Sequence, residues 1–328
     1  MFTKTYADIL TTIERAHHVL IVSHRKPDGD TIGSALALRQ YCLRAGKLVT
    51  NFCIDPAADY MLFLPDAHQL GPKPEIWSSA DVDVVIVVDS GDLRYAGVAD
   101  YVPQLPGPYT LINIDHHVTN PGYGQINLVN STASSTCEIV YHLLNSVQAV
   151  DHAIATCLLT GLITDTGNLT NLATTASAVE VASKLVAKGA NLSLISKHAV
   201  QNRPFNTLRL WGRALERLHE DQKTGMIVTA LTLQDIHDCN ADDEAVSGIS
   251  NFLNGLDQAA HKAVLVLTQT APDVIKGSLR TTHPLIDVTE FAKLYGGGGH
   301  KKAAGFTMSG NLEITPTGYV IHPPTQSH

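Results

Sequence analysis

Three short apolar runs constrain this chain more than anything else in it: VLIVSH (19–24), VDVVIVVDS (82–90) and YTLINIDHH (109–117). Each is rich in Val and Ile and lacks the alternation of a strand with one wet face. Such runs read as strands of a parallel sheet buried on both faces. The first ends at Pro27-Asp28-Gly29, after which a helical pattern runs over 31–45. The expected fold class is therefore α/β: an N-terminal domain with a mostly parallel sheet flanked by helices, and a smaller α/β C-terminal domain across a cleft. Two domains also match a length of 328 residues.

Helical patterns follow over 135–145, 152–164 and 176–189, and a helical connector over 191–219. A second strand–helix region holds MIVTALTL, a helix near 243–253, AVLVLTQT, VIKGSLRTT, a helix near 288–295, a glycine run and AAGFTMS. The expected division is a metal-binding catalytic domain over 1–190, a hinge over 191–219 and a substrate-binding domain over 220–328. After Gly310 the sequence carries no motif.

Each of the three strands is followed at its carboxyl end by an acid, Asp28, Asp89 or Asp115. Open α/β sheets bind ligands along that edge. His24-x3-Asp28-x-Asp30 places one imidazole and two carboxylates in a single turn, although Asp30 also reads as a cap for the helix starting near Thr31. Asp115-His116-His117 groups three titratable side chains that packing alone does not explain. Asp165 ends an apolar helix, where a carboxylate opposes the helix dipole. Four aspartates and two histidines from among these are enough for two metals sharing a carboxylate in phosphoryl displacement. Oxygen and imidazole donors without thiolate favour Mn2+ over zinc or calcium, with Mg2+ as the alternative.

Gly296-Gly297-Gly298-Gly299-His300 leaves four successive backbone N–H groups uncovered by any Cβ, which suits an anion cradle with His300 as an added donor. Lys301-Lys302 reads as surface or as an extension of that positive patch, and Arg94 as surface or a phosphate contact. Ser134-Ser135-Thr136 reads as a helix cap.

The formal net charge of −8 and 6% aromatic content argue against a basic, stacking groove for long nucleic acid. Five dispersed cysteines without a C-x-x-C pair point to a reducing compartment. No apolar run nears the ~18 residues of a membrane span. The expected location is cytoplasmic, with no membrane partner and no long duplex DNA.

The motifs HRKPDGDTIGS (24–34), VVDSGD (87–92), IDHH (114–117), ITDTG (163–167), GSLRT (277–281) and GGGGHKKAAGF (296–306) resemble the DHH phosphoesterase family with its DHH-associated C-terminal domain. The likeness extends over nearly the whole chain and is nearest the nanoRNase/pAp-phosphatase (bifunctional oligoribonuclease and PAP phosphatase) group. It implies that His24 and Asp28 hold one metal, that Asp30, His116 and Asp165 hold the other, and that Asp89 bridges both. It places His117 against the scissile phosphate or leaving oxygen, and it assigns Arg280, Gly298, Gly299 and His300 to the substrate. The expected chemistry is in-line attack on phosphorus by a metal-activated hydroxide, with closure of the two domains about the 191–219 hinge. A homodimer is also implied. Two departures stand out: Asn168-Leu169-Thr170 replaces an aromatic and an arginine common in the family, and Lys26 replaces an asparagine.

The expected substrates are short 5′-phosphorylated oligonucleotides and pAp. Cyclic di-AMP or its linear product pApA is the alternative on the same site, and a non-catalytic nucleotide sensor is the alternative of a different class. A sensor would lack a metal ligand, and all six positions are filled here.

Overall fold

The three apolar runs form the centre of a five-stranded, all-parallel sheet. The structure, a computed structural model, describes residues 2–171, 173–200, 204–241, 243–246, 248–255, 262–316 and 318–324. The chain divides into two units, Met1–Asn202 and Arg203–His328.

In the first unit α1 (Thr3–Arg15) leads into β1 (His18–Val22), α2 (Gly29–Arg44), β2 (Leu48–Phe52), β3 (Val82–Val88), β4 (Thr110–Asp115) and β5 (Ile126–Val129). Four helices follow: α3 (Thr136–Asn145), α4 (His152–Asp165), α5 (Ala176–Ala187) and α6 (Leu192–Ile195). The strand order is β2-β1-β3-β4-β5, and every pairing is parallel. Alternation along the strands sends Val19, Ile21, Ile86, Ile112 and Ile114 into one core with the helices. Leu20, Val22, Val85, Val87 and Leu111 enter a second core, closed by Ile76, Trp77, Val98 and Val102. That second layer comes from short helical turns and loops, so both faces are buried while the α-helices pack into the first core alone. Among the described residues no helix is long and apolar enough to cross a membrane.

The helix after β1 begins at Gly29, two residues before the sequence pattern places it. Asp28, not Asp30, is its cap: Oδ1 of Asp28 accepts from the backbone N–H groups of Asp30 and Thr31, at 3.0 and 3.1 Å. Asp30 is thereby released for another role.

The second unit carries α7 (Phe205–Glu216), β6 (His219–Glu220), β7 (Ile227–Leu231), α8 (Leu233–Asp238), α9 (Asp243–Val246) and α10 (Ile249–Asn254). Then come β8 (Val264–Ala271), β9 (Val274–Arg280), α11 (Val288–Lys293), β10 (Gly298–His300), β11 (Ala303–Ser309), β12 (Asn311–Thr315) and β13 (Gly318–His322). Six strands make a mixed sheet in the order β10-β11-β9-β8-β7-β6. One expectation changes here. The helix expected near 243–253 is two short helices, with Gly248 in the left-handed region (φ 88°) between them; residue 247 lies outside the described residues. The segment after Gly310, which carries no sequence motif, forms the β12–β13 hairpin.

Candidate metal centre

The strand order reverses direction between β1 and β3, and at such a switch point the loops leaving the two strands diverge and open a crevice. His24 follows β1 and Asp89 follows β3, so both stand on this crevice. The imidazole of His24 is 3% exposed, and its Nδ1 lies 2.8 Å from the Arg25 carbonyl. A carbonyl only accepts, so Nδ1 carries a proton and Nε2 is the nitrogen turned toward the carboxylates. Nε2 stands 3.6 Å from Asp28 Oδ1 and 3.5 Å from Asp89 Oδ2.

Asp89 is 2% exposed and sits in the left-handed region with φ 55°, a conformation few side chains but Asn and Asp tolerate. Its N–H donates to the Ile114 carbonyl at 3.0 Å, which continues the sheet one residue beyond β3 and turns the carboxylate into the crevice. Oδ1 accepts from the Thr136 hydroxyl at 3.1 Å.

Asp30 is held from the far side. Its Oδ2 accepts from the Thr136 N–H at 2.6 Å and its Oδ1 from the Cys137 N–H at 2.9 Å. These are the first two residues of α3, so unpaired N–H groups and the positive end of the helix both meet one buried carboxylate. Ser135 caps α3 by accepting from the Glu138 N–H, as expected. Asp165 is the last residue of α4. Between them, His116 Nε2 lies 3.6 Å from Asp89 Oδ1 and 3.8 Å from Asp165 Oδ2, with its Nδ1 3.4 Å from the Ala133 carbonyl.

His117 differs from these two. Its Nδ1 is paired at 2.7 Å with Oδ1 of the fully buried Asp115, and the ring is half-exposed. The Asp115 bond, against the cost of burial, raises the His117 imidazole above its usual range.

The assembly is electrostatically unsatisfied by protein alone. Burial, and then the neighbouring charges of Asp89, Asp165 and Asp28, push the Asp30 carboxyl well above its ordinary range. Burial does the same to Asp165, up to about 6, with Asp89 and Asp28 adding to it. Burial disfavours a charged His24, but Asp28 and Asp89 outweigh it and push the imidazole up to about 11. Divalent cations relieve both effects, since they neutralise the carboxylates and take the imidazole lone pairs. Among the described residues three overlapping groups have donor atoms within 4.8 Å of one another: His24, Asp28 and Asp89; Asp30, His116 and Asp165; and Asp89, His116 and His117. The donor set is oxygen and imidazole, which fits Mn2+ or Mg2+. Two thiols border the site without facing it: Cys53 donates to the His24 carbonyl at 3.0 Å and Cys137 to the Asp30 carbonyl at 3.5 Å, and burial holds both protonated.

The residues assigned to substrate lie in the second unit. Arg280 ends β9, in register with Val264 of β8 and Ala303 of β11; burial lowers its guanidinium below the usual range. The glycine run is not a loop throughout. Gly296 leaves α11 in the left-handed region (φ 71°), the Gly297 N–H donates to the Ala292 carbonyl at 2.9 Å, and Gly298, Gly299 and His300 form the edge strand β10 against β11. A Cβ on Gly297 would stand 2.2 Å from the Gly305 carbonyl oxygen, so close strand approach accounts for that glycine. Lys302 does not extend a phosphate patch. Its ammonium donates to the carbonyls of His283, Pro284 and Ile286 and so fastens the loop after β9.

Sequence reasoning missed Thr136 and Cys137, whose contacts to Asp30 are made by backbone N–H groups and leave no signature in residue type. It also missed Asn120, although the pattern Asp115-x4-Asn120 behind a histidine pair was readable as a turn.

The model of the DHH family N-terminal domain matches residues 18–162, and that of the DHHA1 domain matches residues 223–314. The bifunctional oligoribonuclease and PAP phosphatase NrnA of Thermus thermophilus is 30% identical over 310 residues, covering 94% of this chain and 88% of that protein. The probable bifunctional oligoribonuclease and PAP phosphatase NrnA of Streptococcus mutans is 28% identical, covering 94% of this chain and 96% of its own length. An exopolyphosphatase-related protein of Bacteroides fragilis shares the fold, with a TM-score of 0.82 at 24% identity over 92% of this chain and 90% of that one. On these matches the chain belongs to the DHH family and carries a DHHA1 domain.

Proposed function

We propose that this protein is a two-metal phosphoesterase that hydrolyses short 5′-phosphorylated oligonucleotides, including pApA, and also pAp. The observation that carries this reading is the sharing of Asp89 between the group formed with His24 and Asp28 and the group formed with His116 and His117. A carboxylate common to adjacent ligand sets suits a pair of cations a few ångströms apart. The names of the Thermus and Streptococcus relatives supply the substrate class.

His24 and Asp28 would hold one cation, Asp30, His116 and Asp165 the other, and Asp89 both. Bound Mn2+, or Mg2+ in its place, supplies positive charge to the phosphate oxygens and acidifies water. Asp89 and Asp30 are held by Thr136 and the start of α3, so their oxygens keep their positions when a cation is lost or gained. His117 presents Nε2 toward the leaving oxygen and serves as the proton donor. Arg280, Gly298, Gly299 and His300 bind the substrate's phosphate or terminal nucleotide. A cytoplasmic homodimer is the expected working state.

The test is turnover with Mn2+ on pApA, pAp, cyclic di-AMP and a single strand of ~20 nucleotides, the last well beyond the short oligonucleotides that a two-metal site of this kind would take. Hydrolysis of pApA and pAp with the other two spared is the expected result. Preferential cleavage of cyclic di-AMP would reassign the substrate, and loaded but silent enzyme on all four would overturn catalysis.

A further inference from the structure

The geometry points to Asn120 as a positioning residue for His117, acting through Asp115; this rests on the reading of His117 as the proton donor. The amide of Asn120 has one orientation only. Its Oδ1 accepts from the Gly122 N–H at 2.8 Å, and a backbone N–H can only donate, so Nδ2 must face the other way. There it meets Asp115 Oδ2 at 2.6 Å, the Ser90 carbonyl at 3.1 Å and Asn113 Oδ1 at 3.1 Å. The second oxygen of Asp115, Oδ1, accepts from the His116 N–H at 2.8 Å and faces His117 Nδ1 at 2.7 Å.

The carboxylate is therefore filled on both oxygens by donors, and its plane is set by Asn120 on one side and the histidine loop on the other. An acceptor at Nδ1 fixes that nitrogen as the protonated one, which leaves Nε2 as the atom that exchanges a proton with substrate. Asn120 also ties this loop to the strand beneath it: Asn113 Nδ2 donates to Asn120 Oδ1 at 2.9 Å and to Asn127 Oδ1 at 3.0 Å. The Asn120 N–H closes the turn on the His117 carbonyl at 3.1 Å. Three asparagines thus carry the direction of β4 and β5 into the ring plane of His117. None of the three can ligate through a charge, and Asn113 is fully buried.

In the hydrolysis one P–O bond forms to the oxygen of water and one breaks to the departing sugar oxygen. The water releases a proton to solvent, and the sugar oxygen takes one from His117 Nε2, which solvent then replaces. Only the second transfer depends on Asn120. A leaving group that departs as a stable anion does not need it.

The experiment compares Asn120→Asp with wild type on two phosphodiesters, pApA and the p-nitrophenyl ester of thymidine 5′-phosphate, with bound Mn2+ counted in each protein. Asn120→Asp keeps the shape and replaces the donor facing Asp115 by a carboxylate. Asp115→Asn serves as the second variant, because it retains packing but offers His117 the wrong partner. The expected result is a fall in kcat of about 10²-fold on pApA, less than threefold on the nitrophenyl ester by the same reasoning, and unchanged metal content in at least one variant. Equal losses on both esters in each variant, or full activity on pApA, would overturn the assignment. Wild-type enzyme inactive on pApA would instead overturn the proposed function.

Discussion

Gly161 of α4 lies so close to Asp30 of α2 that a Cβ on the glycine would stand 2.9 Å from Asp30 Oδ1 and 2.3 Å from Cys137 Sγ. A glycine inside a helix costs up to ~1 kcal/mol relative to alanine. Here the missing methyl is what lets two helices and the start of α3 converge on one carboxylate. Gly161→Ala should therefore weaken metal binding by about 10- to 100-fold, the range seen when support of a ligand is disturbed. Titration with Mn2+ would show it, and an affinity equal to wild type would mean that α4 shifts freely.

Asp89→Asn should remove the shared carboxylate with little effect on folding, because asparagine also tolerates the left-handed backbone at this position. We expect a loss in kcat/KM on the order of 10³-fold, equivalent to several kcal/mol of charge stabilisation. The melting temperature without metal should stay within a few degrees. Asp89→Ala should lose the same activity and additionally ~1 kcal/mol of stability, since alanine pays for φ near +55°.

Metal should stabilise the first unit measurably. Four carboxylates crowd the crevice, and a cation that binds only the folded chain adds ~2.7 kcal/mol at one hundred times its Kd. For a domain of this size that corresponds to a rise in Tm of about 5–10 °C with Mn2+. Removal by EDTA should reverse it together with activity, and the Asp89→Asn protein should show little of the rise. Calorimetry with and without metal decides the matter.

The second unit has its own acid-sensitive joint. Burial would raise the Asp235 carboxyl, but Arg217, the Thr232 N–H and Arg213 outweigh it and hold Asp235 far below the carboxylate range. Arg217 reaches both oxygens, with Nη2 2.9 Å from Oδ1, and Arg213 Nη1 is 2.7 Å from Oδ1. A depressed folded pKa gives stability that is present above about pH 4, the unfolded value, and lost as pH falls through the lower folded value. Asp235→Asn should destabilise the second unit at pH 7, because the buried carboxylate is lost to two partly exposed guanidinium groups. It should also flatten the fall in stability below pH 4 in urea titrations.

The legible part of this molecule is the part where chemistry and burial coincide. Val82–Val88 and Thr110–Asp115 were readable as central strands because burial on both faces leaves no polar alternation. Asp89 and His116 stood out because charge follows such runs only for a reason. Asp30 was readable as a candidate ligand but not in its surroundings, since α3 meets it with backbone groups that any residue supplies. Gly298–His300 gave no strand signal because glycine is a poor strand former, and only the pairing with β11 makes a strand of it. The Asn311–Thr315 and Gly318–His322 hairpin alternates weakly and is largely half-buried or exposed, which gave periodicity little to report.

The donor groups are spread along the chain from His24 to Asp165, and α3 meets them through two backbone N–H groups and the Thr136 hydroxyl. The whole constellation needs β3 and β4 in register to place Asp89 and α4 docked on α2 to place Asp165. During synthesis the group of Asp30, His116 and Asp165 would therefore be complete only after α4 has emerged, later than the group of His24, Asp28 and Asp89. On the proposed two-metal reading, filling of the second group would thus mark the completion of the first unit as much as it prepares chemistry.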